Sequence, residues 1–448
     1  MPHGVTRLTT AAALAVAAAS SLAAAAQRVE LTDTKLKNGL RVIISEDRSA
    51  PVFSIAVTYN AGSRDERNGR TGFAHLFEHM MFKGSEQVGP GEHFMLVFNN
   101  GGTMNGTTNK DRTLYFETLP SNQLDLALFL EADRMWSLEI TQANIDNQRH
   151  AVQEERRLGV DNQPYGRTFE AIDELAFENF ANAHSVIGSM ADLGAATVED
   201  VSSFFRTYYA PNNAVLSIVG DVETAATLEK VRKYFERIPS QPAPAPPDLK
   251  EPPQTAERRT TLEDPLARLP RLDLAWHTPP ANTADDDALT ILASVLTSGR
   301  SSRMYESIVR EKQLSSGVSA FSTGTRGPNL FRMVSTALPG SNVADLEAAI
   351  LAGVEQVKTA PIADWEMEKA LNTQRRGFVS SLGSSLQRAI LLGQYALFWN
   401  DPNRINTYLD RLEKVTAADV QRVAKQYLTQ TNRTVVITRP KAATGGAR

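Results

Sequence analysis

Two histidines and a glutamate lie close together in one mainly apolar stretch, TGFAHLFEHMMFKGS, at residues 71–85. A helix turns by about 100° per residue, so His75, Glu78 and His79 fall within one arc of about 100°. Histidines four residues apart on a helix are spaced to bind one tetrahedral metal ion, and the glutamate between them is placed to act on water at that metal. The stretch therefore predicts a buried helix that carries a hydrolytic metal site.

A hydrolytic zinc site takes three protein ligands and keeps one open position. The chain contains no cysteine, so the third ligand must be a histidine, an aspartate or a glutamate. A long helix predicted from about Gln142 to Leu158 offers Glu154 and Glu155, although by its own pattern it is an ordinary solvated helix. Four further histidines occur singly and are interpreted as structural or surface residues: His93, His150, His184 and His277.

The segments around this helix alternate between strand and helix patterns. Asn38-Gly39 separates two alternating segments and predicts a hairpin. Apolar or alternating runs predict strands at 52–63 and 113–120, and a helical pattern covers 122–138. This mixture favours an α+β layered fold.

The chain contains an internal repeat. Residues 197–220 and 416–439 match at five positions with a constant offset of 219: Thr197/Thr416, Asp200/Asp419, Val201/Val420, Tyr208/Tyr427 and Asn213/Asn432. The proline-rich stretch 238–254 predicts a semi-rigid linker between the two copies. We therefore predict one domain over 27–237 and a homologous companion domain over 255–440.

The helix at 71–85 has a counterpart at 288–302 in the second copy. There Thr290, Ala293 and Ser294 stand opposite His75, Glu78 and His79, and none of the three is a metal ligand. Only the first domain is therefore predicted to carry chemistry.

The two ends of the chain predict its cellular location, and its net charge bears on the class of partner it binds. Residues 1–26 combine Arg7 with an alanine-rich run that ends in a small-x-small pattern, which predicts a cleaved export signal and a periplasmic or secreted chain. A retained anchor is the alternative. Residues 441–448 are predicted to be a disordered tail, and no stable membrane span is expected after processing.

A net charge of −4 gives no reason to expect a nucleic-acid partner.

These motifs together resemble the inverted-motif zinc peptidases, the family of pitrilysin, insulysin and the mitochondrial processing peptidase. The resemblance rests on HLFEH, on Glu155 76 residues after His79, on the segment at 101–120 and on the ligand-free second half. It implies two homologous domains that face each other, each a mainly antiparallel sheet covered by helices on one side. It also implies a Zn²⁺ endopeptidase in which His75, His79 and Glu155 are the ligands and Glu78 is the general base.

The resemblance assigns further residues and shows two departures from the family pattern. Gln148, two turns before Glu155, stands where the family usually has a supporting glutamate. The companion half keeps Arg310, but Ser316 stands where a substrate-binding tyrosine is expected. We therefore expect a homologous second subunit to supply an Arg/Tyr pair, and Glu154 to be on the wrong side of its helix to be a ligand.

In the family, the strand equivalent to the one containing Asn105 binds an extended peptide by main-chain hydrogen bonds, which implies peptides or unfolded segments as substrates. Two alternatives remain open. The chain could be a retired structural or partner subunit, or a single-chain protease that needs no partner.

Overall fold

The computed structural model describes residues 28–441, which form two β-sheets packed against helices. The strands are β1 Thr32–Lys35, β2 Arg41–Glu46, β3 Val52–Tyr59, β4 Thr103–Thr108, β5 Thr113–Pro120, β6 Ala214–Gly220, β7 Arg258–Asp264, β8 Arg271–Thr278, β9 Ser315–Ser322, β10 Asn329–Ala337 and β11 Arg433–Pro440. The predicted export signal at 1–26 and residues 442–448 of the predicted tail lie outside the described residues.

The helices cover both sheets and connect their strands. They are α1 Phe73–Met80, α2 Glu92–Asn99, α3 Leu124–Ser137, α4 Gln142–Arg156, α5 Gly166–Ala176, α6 Phe180–Ala183, α7 Met190–Gly194, α8 Val198–Tyr208, α9 Thr224–Phe235, α10 Ala284–Thr297, α11 Val343–Thr359, α12 Asp364–Leu382, α13 Ser385–Trp399, α14 Arg404–Leu412 and α15 Ala417–Tyr427. Within residues 28–441, none of the helices is both long enough and apolar enough to span a bilayer.

The two sheets have the same topology, which confirms the predicted α+β class and the duplication. The first sheet has the order β1-β2-β6-β3-β5-β4, and the second has the order β7-β11-β8-β10-β9. In each sheet one pair is parallel, β2 with β6 and β7 with β11, while the other pairs are antiparallel. The first sheet differs by the extra strand β1, which forms the predicted hairpin with β2.

The repeat is visible in the local chemistry of two matching helices, α8 in the first half and α15 in the second. Thr197 caps α8, and its side chain accepts from the backbone N–H of Asp200. Thr416 caps α15 in the same way through Asp419. Both helices thus begin with a capping box, which satisfies backbone N–H groups that have no partner inside the helix.

Each half also covers part of the other. Apolar residues of α13, which include Ala389 and Leu392, pack on Ile43, Ala56 and Val215 of the first sheet. Conversely, α5 of the first half packs on β8 and β11 of the second sheet. Both faces of each sheet are therefore covered, one of them by a helix from the other half, whereas only one covered face was predicted.

A buried ion pair of the first half, beside the turn between β4 and β5, binds a loop of the second half. Arg64 Nη1 lies 2.7 Å from Asp111 Oδ1, and the two side chains are 1% and 3% exposed. Arg64 Nη2 also donates to the carbonyl of Pro328, and Asp111 Oδ2 accepts from the backbone N–H of Arg326. The pair thus holds a loop of the second half against the first.

Replacing Asp111 by alanine is expected to lower the free energy of unfolding by about 3–5 kcal/mol, because it leaves the Arg64 guanidinium buried and unpaired. The measurement is urea denaturation of the wild type and the variant. A matched control is Glu199→Ala, which breaks an exposed pair with Arg206 and is expected to cost less than about 1 kcal/mol. Equal costs for the two variants would contradict the prediction.

Candidate functional site

The helix α1 carries the predicted polar stripe as a short, mostly buried segment. Phe73, Leu76, Phe77 and Met80 pack into the core of the first half, while His75 and His79 remain partly exposed. Their side chains are 12% and 25% exposed, so both imidazoles lie where α1 meets solvent.

Glu155 on α4 completes a three-residue cluster with the two histidines. Its carboxylate oxygens lie 3.7 Å from His75 Nε2 and 3.3 Å from His79 Nε2, and one donor atom from each residue lies within 4.8 Å of the other two. Two atoms that bind one tetrahedral zinc ion at about 2.1 Å lie about 3.4 Å apart. The observed separations therefore fit a single small cation held by these three side chains.

The protonation of the cluster also suits a cation. Burial, followed by the charge of His79, lowers the pKa of His75 to about 4. The neighbouring His79 lowers the pKa of Glu155 below its ordinary value. The cluster thus presents a neutral imidazole and an ionised carboxylate, which are the forms that bind a metal.

Glu78 lies beside this cluster and is only 7% exposed. Its Oε2 accepts a hydrogen bond of 2.6 Å from Thr108 Oγ1, at the end of β4. Burial raises the pKa of Glu78 above its ordinary value, although the Thr108 bond opposes this. The carboxylate is therefore fixed next to the three candidate ligands without itself belonging to the cluster.

The edge strand β4 forms one wall of the cleft, whose volume is about 470 Å³. Asn105 and Gly106 of β4 line it together with the polar cluster, and Val186 and Ile187 contribute apolar side chains to the lining. Since β4 ends the first sheet, its outer edge has no strand partner among residues 28–441.

The remaining predicted residues have other surroundings. Gln148 is buried, and its Nε2 donates to Asn147 Oδ1 rather than to a candidate ligand. Arg310 is exposed on a π-helical segment of the second half and pairs with Glu306. Glu154 pairs with Arg157 at 2.9 Å, so its carboxylate does not belong to the cluster.

Sequence reasoning missed the residues that support the site. Thr108 and Gly106 position Glu78, while Glu66 and His184 hold the start of α1. For Glu66 and His184 the sequence offers a single signal. The residue before α1 is Gly72, which has no side chain with which to cap the helix.

The comparisons with known proteins agree with this fold. A family model described as Insulinase (Peptidase family M16) matches residues 41–189, and one described as Peptidase M16 inactive domain matches residues 195–374. Zinc protease PqqE of Helicobacter pylori is 31% identical over 408 residues, which cover 90% of this chain and 92% of that protein. The chain therefore belongs to peptidase family M16, as the resemblance predicted.

More distant relatives and solved structures extend the comparison. A probable mitochondrial-processing peptidase subunit beta of Arabidopsis thaliana is 23% identical over 88% of this chain and 76% of its own length. The crystal structure of a protease from Helicobacter pylori matches with a TM-score of 0.88 and 30% identity, covering 92% of this chain and 100% of that one. The periplasmic protease PqqL from Escherichia coli shares the fold, with 19% identity, a TM-score of 0.77, and coverage of 93% of this chain and 48% of its own.

Proposed function

We propose that this chain is a zinc-dependent endopeptidase, that it acts outside the cytoplasm, and that it is the metal-carrying subunit of a heterodimer. The observation that carries the proposal is the approach of the Glu155 carboxylate to His75 and His79, at 3.7 and 3.3 Å, beside Glu78 and a free sheet edge. The names of its relatives, zinc protease PqqE among them, support zinc as the metal.

The residues of the cleft have separable tasks in peptide hydrolysis. When zinc is bound by His75, His79 and Glu155, it acts as a Lewis acid that polarises the peptide carbonyl and makes water more acidic. Glu78 takes a proton from the attacking water and gives it to the leaving amide nitrogen. The Thr108 hydroxyl holds one Glu78 oxygen in place, which leaves the other for proton transfer.

The substrate we propose is an extended peptide or an unfolded segment that adds to β4 as a further strand. The outer edge of β4 has no strand partner among residues 28–441, and Asn105 and Gly106 of this strand line the cleft. Binding of this kind depends on backbone groups more than on side chains. Loose sequence preference and little cleavage of folded proteins are therefore expected.

The proposal of a second subunit is supported by the second half. Ser316 on the edge strand β9 has no aromatic ring to contact a substrate, and Arg310 is exposed and paired with Glu306. A homologous partner would supply the missing Arg/Tyr pair.

Export is supported by the alanine-rich composition before residue 27.

The test is cleavage of an unstructured peptide by the purified chain, alone and mixed with a homologue encoded beside it, with and without a chelator. We expect stoichiometric zinc, turnover in the mixture, and loss of turnover on chelation that added zinc restores. A chain that binds no zinc would overturn the proposal. Zinc binding without turnover in either sample would favour a retired subunit, and full turnover by the chain alone would overturn the heterodimer.

Gly106→Ala is expected to lower kcat by about 10- to 100-fold while metal binding stays near the wild-type level. A Cβ at position 106 would lie 2.8 Å from Glu78 Oε1 and 3.0 Å from its Cγ, so the carboxylate must move. Displacement of a reacting group by about 1 Å costs on the order of 100-fold in rate. The measurement is steady-state peptide cleavage together with zinc content.

The matched control is Gly317→Ala on β9, the corresponding edge strand of the second sheet. There a Cβ meets nothing within 4 Å, so no change in rate is expected. Equal kcat values for the two alanine variants would contradict the placement of Glu78.

A further inference from the structure

The helix that carries the candidate ligands begins without a capping side chain of its own. The residue before α1 is Gly72, which has a left-handed backbone with φ of 82°. The first N–H groups of any helix have no partner inside that helix. At α1 these groups lie within one turn of His75, so whatever binds them also determines where the first ligand lies.

The carboxylate of Glu66 binds two of these groups. Its Oε2 accepts from the backbone N–H of Gly72 at 2.9 Å, and its Oε1 accepts from that of Ala74 at 2.7 Å. The Glu66 side chain is fully buried, with 0% exposure. A carboxylate at a helix N-terminus is stabilised by the helix dipole, and burial strengthens the interaction because water does not screen it.

A buried histidine balances the charge of this carboxylate. His184 Nε2 lies 3.0 Å from Glu66 Oε2, and its Nδ1 lies 2.7 Å from the carbonyl oxygen of Phe180. Since both ring nitrogens face oxygen acceptors, the protonated imidazole satisfies both. The Phe180 ring stacks on the imidazole with centroids 4.3 Å apart and planes 14° apart, which limits rotation of the ring.

The segment that contains His184 is attached to the linker between the two halves. Asn179, at the start of α6, donates through Nδ2 to the carbonyl oxygen of Asp248 at 2.9 Å. Asn182 donates to Glu251 Oε2 at 3.0 Å. Hydrogen bonds thus lead from the linker through α6 and His184 to Glu66, and from Glu66 to the start of α1.

We propose that Glu66 and His184 are a positioning pair that sets the place of α1, and hence of His75 and His79, relative to Glu155. The inference rests on the proposed function, in which these three residues hold zinc. A metal ligand set tolerates a displacement of about 0.5 Å or less. Loss of the pair would therefore alter metal geometry and turnover more than substrate affinity.

The first test compares Glu66→Gln with Glu223→Gln. Glu223 caps α9 in a similar way, since its carboxylate accepts from the backbone N–H groups of Ala225 and Ala226 at 3.1 and 2.7 Å, but it is exposed and does not line the cleft. The readouts are the visible absorption spectrum of the Co²⁺-substituted protein, the Kd for Zn²⁺ from competition with a chelating dye, and kcat and KM.

For Glu66→Gln we expect about 10- to 100-fold weaker Zn²⁺ binding, a changed Co²⁺ spectrum, and a lower kcat at nearly unchanged KM. The glutamine amide would place an N–H against a backbone N–H, so one of the two helix contacts is lost. Glu223→Gln is expected to match the wild type in all of these readouts.

A second pair of variants keeps the inference testable if Glu66→Gln does not fold. His184→Gln retains a side-chain donor for Glu66, whereas His184→Phe retains the ring stacked on Phe180 but removes the donor. We expect the phenylalanine variant to bind Zn²⁺ more weakly than the glutamine variant, which stays closer to the wild type.

The outcomes separate this inference from the proposed function. A wild-type chain that binds neither Co²⁺ nor Zn²⁺ overturns the proposed function and the inference with it. A metal-binding wild type whose folded Glu66 and His184 variants keep its spectrum, Kd and kcat overturns the positioning pair alone.

Discussion

Glu78→Gln is expected to lower peptide cleavage by on the order of 100- to 10,000-fold while the protein keeps its zinc. Glutamine matches the shape of glutamate and can still accept from Thr108, but it cannot take a proton from water. Zinc content is expected to be unchanged because Glu78 does not belong to the cluster of three candidate ligands. Metal analysis and steady-state cleavage of one unstructured peptide, both on the same preparation, provide the measurement.

The control for this variant is Glu154→Gln, which makes the same chemical change at an exposed glutamate paired with Arg157. It is expected to cleave at the wild-type rate. If Glu78→Gln retained more than about one tenth of the wild-type kcat, Glu78 would not be the general base.

Glu155→Gln is expected to weaken zinc binding by on the order of 100-fold or more, and cleavage is expected to fall with the metal content. Glu155 provides the only carboxylate of the cluster, and a neutral amide oxygen is a much weaker ligand for a divalent cation. Competition with a chelating dye measures the Kd, and excess zinc is expected to restore only part of the activity.

Glu154→Gln is again the matched control, since it changes the adjacent glutamate on the same helix. Equal Kd values for the Glu154 and Glu155 variants would refute the ligand assignment. Loss of cleavage in Glu155→Gln at full zinc occupancy would instead assign Glu155 a role in catalysis rather than in metal binding.

The helix α1 and its polar stripe were predictable because a helix has a fixed period. His75, Glu78 and His79 lie within five residues, so their common face follows from the turn per residue and needs no tertiary information. The repeat was predictable for a similar reason, since Thr197 and Thr416 each cap a helix through local contacts.

The support of α1 was not predictable from local patterns. Glu66 and His184 lie 118 positions apart in the chain and meet only because α6 packs beside residues 63–65, directly before Glu66. As a single histidine without a motif, His184 was interpreted as a structural or surface residue. Its contact with a helix cap is visible only when the two segments are placed together.

The amino-acid sequence by itself determined the helix with its two histidines and glutamate, the duplication, and the second half without ligands, because each depends on residue identity and short-range period. The family resemblance had already favoured Glu155 over Glu154, but only the tertiary structure brought the Glu155 carboxylate to 3.3 Å from His79, placed the free edge of β4 on the cleft, and showed that each half covers a face of the other. The physical reason is that these features are contacts between elements that are far apart in the chain, and such contacts depend on packing rather than on local residue patterns.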